Sequence, residues 1–288
     1  MMQRQFTLTH MHTTTLALIH AAIAEDIGTG DVTSAFFIPA ESRSKANLVA
    51  REAGVMSGSE IARTVFLEID GATEVSVLVA DGEPFEKGDA LMEISGSARS
   101  VLSAERTALN FLQRLCGVAT ITRRYVEAVK PHAVKVLDTR KTTPGWRLLE
   151  KAAVKDGGGT NHRIGLYDQV MVKDNHLVAA GGIDALQSAI DRVKATRPGI
   201  KVQLEADRLE QVEKFLTLRG VDMILLDNMS TATLRAAVHL NAKRLFLEAS
   251  GGITLATIAD VAATGVDAIS VGALTHSARA LDLALDFV

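Results

Sequence analysis

Met223-Ile-Leu-Leu-Asp227, the helix-patterned stretch Thr231 to His239, and Leu245-Phe-Leu-Glu-Ala-Ser-Gly251 form a strand–helix–strand unit whose reading decides the fold. The two strand runs are continuously apolar, the pattern of strands buried on both faces of a parallel sheet. Each stops at a residue with chemistry to offer: Asp227 in one, Glu248, Ser250 and Gly251 in the other. Outward from this pair the unit repeats. Ala133 to Leu137 ends in Asp138-Thr139-Arg140-Lys141, Val170 to Val172 in Lys173-Asp174-Asn175, Lys201 to Leu204 in Glu205, and Ala268 to Val271 in Gly272. Helical patterns fill the intervals, among them Arg147 to Asp156, Ile183 to Ala195, Leu209 to Leu218 and Leu255 to Ala263. Such alternation predicts parallel strands joined by right-handed crossovers. Six units are visible, two short of a complete eight-unit barrel, so an incomplete barrel and an open doubly wound sheet both fit the pattern.

The first third has another texture. Leu16, Ile19 and Ile23 share one face of an amphipathic N-terminal helix, rather than forming the apolar part of a signal peptide. Short strand-like runs and glycine turns follow, and Gly82 to Gly96 reads as a β hairpin. From about 103 to 130 the pattern turns helical, with Leu109, Leu112, Gln113, Cys116 and Val118 near one stripe and Pro131 closing it. The expected organisation is an α/β domain over 1–115, a C-terminal α/β domain over 116–275, and a tail over 276–288.

Composition excludes several classes. At 288 residues and 47% hydrophobic, the chain has ample material for a core and is not disordered. No apolar run is long enough to predict a membrane span. The 31 Lys and Arg against 34 Asp and Glu lack the basic excess of a nucleic-acid binder. One cysteine, Cys116, cannot form an internal disulfide, which points to a reducing compartment, the cytoplasm.

In parallel α/β folds, ligands sit at the C-terminal ends of the strands. Between Thr139 and Arg163 stand six Lys and Arg against Glu150 and Asp156, although the whole chain is acidic at −3. Arg140, Lys141, His162 and Arg163 lie at a strand end or just after the Gly157-Gly158-Gly159 loop, where a guanidinium fork could take a carboxylate or phosphate. Late in the chain, Ser250-Gly251-Gly252 and Gly272-Ala273 precede helical segments and suit a phosphate. Glu205 and Asp227 stand between, placed to hold a divalent cation through water or to stabilise positive charge. No nucleophile–base pair, P-loop or dinucleotide fingerprint is present, and His176, His239 and His276 lack metal-ligand spacing.

Ordered blocks along nearly the full chain resemble the quinolinate phosphoribosyltransferase family: Glu25 to Thr33, Glu105 to Asn110, Asp138 to Gly145, Gly157 to Leu166, Val172 to His176, Leu204-Glu205, Leu226 to Asn228 and Glu248 to Gly252. Trp146 and Asp156 depart from the family pattern, which puts local packing in question rather than activity. The resemblance implies an N-terminal α/β sandwich, a C-terminal open barrel of about six parallel strands, a final helix near 277–288 folding back on the first domain, and a homodimer. It implies a reaction in which quinolinate and 5-phosphoribosyl-1-pyrophosphate (PRPP), with Mg²⁺, give nicotinate mononucleotide, pyrophosphate and CO₂. By motif, Arg140, His162, Arg163 and Lys173 would hold the quinolinate carboxylates, and Arg106 would reach into the partner subunit's site. Thr139 falls within the matching Asp138–Gly145 block, Lys141 would approach the PRPP phosphates, and Ser250, Gly251, Gly252, Val271, Gly272 and Ala273 would cradle the 5-phosphate. Glu205 and Asp227 would face the ribose and Mg²⁺. Two other readings are a phosphoribosyltransferase for another pyridine carboxylate such as nicotinate, and a non-enzymatic anion-binding module.

Overall fold

A computed structural model describes residues 12–173 and 183–288. The chain divides into two compact units: residues up to 121 with 143–158 and 278–288, and residues 122–142 with 159–277. The expected boundary at 115/116 falls inside one long helix, and the segment 143–158 joins the first unit rather than the second.

In the first unit, α1 (Thr13–Ile27) buries Ile19 and ends at Gly28. Asp31 caps the short α2 (Val32–Phe37), accepting from the Ser34 amide at 2.9 Å. A four-stranded antiparallel sheet follows, built from β1 (Arg43–Ala50), β3 (Glu74–Val77), β5 (Ala90–Ser97) and β12 (Leu283–Phe287) in the order β12-β1-β5-β3. Ala46, Leu48 and Ala50 alternate into the core along β1, as a sheet with one packed face requires. Helix α3 (Ser59–Ile69) buries Ile61, Ala62, Val65 and Phe66 on one stripe. The long α4 (Ala98–Ala128) buries Val101, Ala104, Ala108, Leu112 and Leu115, and continues beyond residue 121. Helix α5 (Arg147–Asp156) closes the unit.

Two expectations are corrected here. The stretch Gly82–Gly96 is not a hairpin, because β4 (Pro84–Phe85) pairs with β2 (Gly54–Val55) while β5 pairs with β1 and β3. The turn at 86–89 therefore passes the chain from one sheet to another, with the Glu86 amide donating to Asp89 at 2.8 Å. The tail ends in a strand, not a helix. Leu281, Leu283 and Leu285 are buried while Asp282, Ala284 and Asp286 are not, a period of two that suits a strand and wastes a helix face. The approach of this tail explains a glycine within α4: a Cβ on Gly117 would fall 1.9 Å from the Arg279 carbonyl oxygen. The two family departures are both accommodated: Trp146 stacks on Phe111 at 4.7 Å, and Asp156 accepts from Ser57 Oγ at 2.6 Å.

The second unit holds six parallel strands: β6 (Lys135–Leu137), β7 (Val170–Val172), β8 (Val202–Ala206), β9 (Met223–Asp227), β10 (Phe246–Ser250) and β11 (Ala268–Ser270). Their order, β6-β11-β10-β9-β8-β7, decides between the two architectures left open by the pattern. A doubly wound sheet reverses direction partway. Here every strand from β7 to β11 lies beside its successor and β6 closes against β11, so the strands run round as a barrel with one seam, between β6 and β7. The connecting helices are α6 (Ile183–Thr196), α7 (Leu209–Phe215), α8 (Thr231–Asn241), α9 (Ile258–Ala262) and α10 (Ala273–His276). Asp174, Asn175 and His176 lie outside the described residues.

Candidate active site

The strand ends of the second unit enclose a cavity of about 590 Å³. Its wall begins after β6. Thr139 Oγ1 accepts from the Lys141 amide at 3.0 Å, turning the chain so that Arg140 and Lys141 both line the cavity. Thr275 Oγ1 donates to the Lys141 carbonyl at 2.7 Å, which ties this loop to α10. The chain returns beside β6 through the Leu137–Thr160 bridge, and the buried Asp138 accepts from the His162 amide at 2.8 Å. That return delivers His162 and Arg163 to the wall.

Arg163 donates from Nη1 to the Gln169 carbonyl at 3.1 Å. Burial, reinforced by the charge of Arg140 and opposed by Asp168, holds its guanidinium below the usual arginine range. Two cations sharing one cavity wall favour an anionic ligand there. Lys173, at the end of β7, places Nζ 3.2 Å from Glu205 Oε2 at the end of β8, and Asp227 follows on the neighbouring β9.

On the other side, Ser250, Gly251 and Gly252 line the cavity together with Val271, Gly272 and Ala273. Gly251 has φ +99°, and a Cβ there would fall 2.1 Å from Asn228 Oδ1. Only glycine lets these two loops approach. Asn228, itself at φ 55°, donates its backbone N–H to the Ser250 carbonyl at 2.9 Å and its side-chain amide to Asp227 Oδ2 at 2.7 Å. At Gly272 an added Cβ would lie 3.2 Å from Lys141 Cδ, so the lysine stem crosses this turn.

The structure thus gathers Thr139, Arg140, Lys141, His162, Arg163, Lys173, Glu205, Asp227, Ser250–Gly252 and Val271–Ala273 around one cavity. Arg106 is not among its lining residues; it lies on α4 in the first unit, 63% exposed and 3.6 Å from Glu105. Sequence reasoning assigned no role to Asn228, Glu248 or His276, all of which line the cavity. The signal for Glu248 was present: a glutamate inside the apolar run Phe246–Ser250 must find partners or destabilise the strand.

Comparison with known proteins agrees with this geometry. Residues 118–286 match the family described as quinolinate phosphoribosyl transferase, C-terminal domain, and residues 31–116 match its N-terminal domain. The chain belongs to the quinolinate phosphoribosyltransferase family. It is 40% identical over 269 residues, 93% of this chain and 92% of the relative, to the probable nicotinate-nucleotide pyrophosphorylase (carboxylating) of Bacillus subtilis. It is likewise 40% identical, over 93% of this chain and 80% of the relative, to the mitochondrial quinolinate phosphoribosyltransferase (decarboxylating) 2 of Nicotiana glauca. Among solved structures, the nicotinate-nucleotide pyrophosphorylase of Francisella tularensis superposes with a TM-score of 0.91 at 37% identity, covering 96% of each chain. Within this quinolinate phosphoribosyltransferase family member, no described residues form a cluster of three or more His, Cys, Asp or Glu able to hold a metal alone. No described helix is long and apolar enough to cross a membrane.

Proposed function

We propose that this chain joins quinolinate to PRPP, releasing pyrophosphate and CO₂ and leaving nicotinate mononucleotide, a step in NAD biosynthesis. The observation that carries the reading is the opposition within one cavity of Arg140, Arg163 and Lys173 to the carboxylates Glu205 and Asp227. A dicarboxylate relieves the repulsion between the arginines, and the carboxylates favour a sugar carbon that turns cationic.

The bond from the pyridine nitrogen to ribose C1 forms as the C1–oxygen bond breaks, and that electron pair leaves with pyrophosphate. Glu205 and Asp227 stabilise the oxocarbenium-like charge on the ribose; Lys141 stabilises the departing anion. The C2–carboxylate bond then breaks, its electron pair stays on C2, stabilised as an ylide by the adjacent positive nitrogen, and that pair takes a proton from solvent as CO₂ leaves. Orientation supplies much of the rate, so no nucleophile is needed. The backbone at Ser250–Gly252 and Val271–Ala273 cradles the 5-phosphate.

Magnesium fits the donor set. Two hard carboxylates, Glu205 and Asp227, suit an ion that keeps water and phosphate oxygens as its other ligands. They would hold it directly or through water, and when bound it would neutralise pyrophosphate charge. We take the active species to be a homodimer in which each copy's Arg106 serves the other copy's site; its exposure supports this reading. A cytoplasmic setting is supported by the single cysteine, whose thiol burial pushes up to about 12.

The test is CO₂ release from carboxyl-labelled quinolinate with PRPP and magnesium. Turnover with nicotinate alone, or PRPP binding without pyrophosphate release, would overturn the assignment.

A further inference from the structure

The cavity floor holds a carboxylate to which no role has been given. Glu248 is 0% exposed within β10, and three donors among the described residues converge on it. His162 Nε2 lies 3.2 Å from Oε2, Gln203 Nε2 lies 2.7 Å from the same oxygen, and Ser270 Oγ donates to Oε1.

The direction of each bond follows from Glu248 being an acceptor only when ionised. Gln203 must present its NH₂ to the carboxylate, which leaves its Oε1 to accept from Gln169 Nε2 at 2.7 Å. His162 must present an N–H from Nε2. Its other nitrogen, Nδ1, accepts the Arg163 backbone N–H at 2.6 Å and therefore carries no proton. The ring is accordingly the neutral Nε2–H tautomer, with both nitrogens committed to the protein.

Arg163 is thereby tied to Glu248 by two routes. Its backbone amide reaches Glu248 through the His162 ring. Its guanidinium donates to the Gln169 carbonyl, and the Gln169 side chain reaches Glu248 through Gln203. The loop between is stiffened by Asp168, which accepts the Ile164 and Gly165 amides at 2.7 and 2.9 Å.

We propose that Glu248 is a positioning residue for quinolinate binding: it sets the tautomer of His162 and the aim of Arg163 by accepting three hydrogen bonds. This rests on the quinolinate reading above. Reach, not charge, is what the role demands. Glutamine at 248 keeps the reach, since one oxygen faces His162 and Gln203 and its NH₂ meets a Ser270 hydroxyl free to rotate. Aspartate keeps the charge but withdraws the oxygens by one methylene.

The test compares E248Q and E248D, both close in shape to the native residue. E248D should raise the quinolinate KM by about tenfold, the size of a lost hydrogen bond or two, with the PRPP KM within twofold; E248Q should stay within about threefold of wild type in both. A greater loss in E248Q than in E248D, or equal changes in both KM values, would overturn the proposal. Ring ¹⁵N–¹H correlation spectra of the wild-type chain should show His162 with Nε2 protonated and Nδ1 bare, and an Nδ1–H form or an imidazolium would also overturn it. Because the spectra need no turnover, absence of quinolinate-dependent CO₂ release in the wild type would strike the functional assignment separately.

Discussion

Lys173 Nζ stands 3.2 Å from Glu205 Oε2, joining the ends of two adjacent strands across the cavity mouth. Each group offsets the other's charge, while the lysine remains half-exposed. A dicarboxylate entering beside Lys173 competes for the ammonium and frees Glu205 to face the sugar. K173M should therefore raise the quinolinate KM by about 10- to 100-fold, the range for a charge-assisted bond. Steady-state kinetics with each substrate varied in turn checks this; an unchanged quinolinate KM would place the lysine outside the binding set.

Arg140 and Arg163 are expected to act as a pair. The charge of Arg140 disfavours that of Arg163 in the free protein, so removal of either is expected to cost substrate affinity without unfolding the wall. R140A and R163A should each lower kcat/KM for quinolinate about 100-fold, with thermal stability unchanged or slightly raised. Wild-type kinetics in both would remove the basis of the anion site.

Gly251 tests the phosphate side. A Cβ there meets Asn228 Oδ1 at 2.1 Å, and φ of +99° strains any other residue. G251A should cost about 1–3 kcal/mol of stability and weaken PRPP more than quinolinate. Denaturant unfolding and the two KM values decide the point.

The C-terminal strand is anchored at Glu52, which takes Arg279 Nη1 at 2.7 Å and the Asp282 amide at 2.9 Å. The hydrogen bond from Arg279, then that from Asp282, holds its carboxyl at about 2 against an ordinary 4.5. A lowered carboxylate stabilises the fold above the unfolded value and loses that contribution as pH falls through the folded one. At neutral pH, E52Q should cost about 1 kcal/mol, the figure being modest because Arg279 is largely exposed. The difference from wild type should shrink between pH 4.5 and 2 in urea unfolding at stepped pH.

The dimer reading predicts complementation. R106A and R140A chains, each inactive alone, should recover about a quarter of wild-type sites when subunits exchange at equal amounts, if Arg106 acts across the interface. No recovery after exchange shown by mass would assign Arg106 to its own chain.

Much of this was legible in advance because parallel strands advertise themselves. β7 and β9 begin where their apolar runs begin, and the residues ending them, Lys173 and Asp227, line the cavity. The tail misled because Ala278 to Phe287 is apolar enough for either period, and only β1, unpaired along one edge, selects the strand. Gly82–Gly96 misled because strand propensity is local while the choice of partner is not.

Sequence by itself determined which residues carry charge, which glycines permit close approach, and that strands and helices alternate, since these depend on side-chain chemistry and short-range periodicity. Tertiary structure alone decided that the barrel seam lies between β6 and β7, that Lys173 meets Glu205, and that Glu248 gathers His162, Gln203 and Ser270. Those relations join residues tens of positions apart, and a hydrogen bond or ion pair exists only where the packed backbone brings its two ends within about 3 Å.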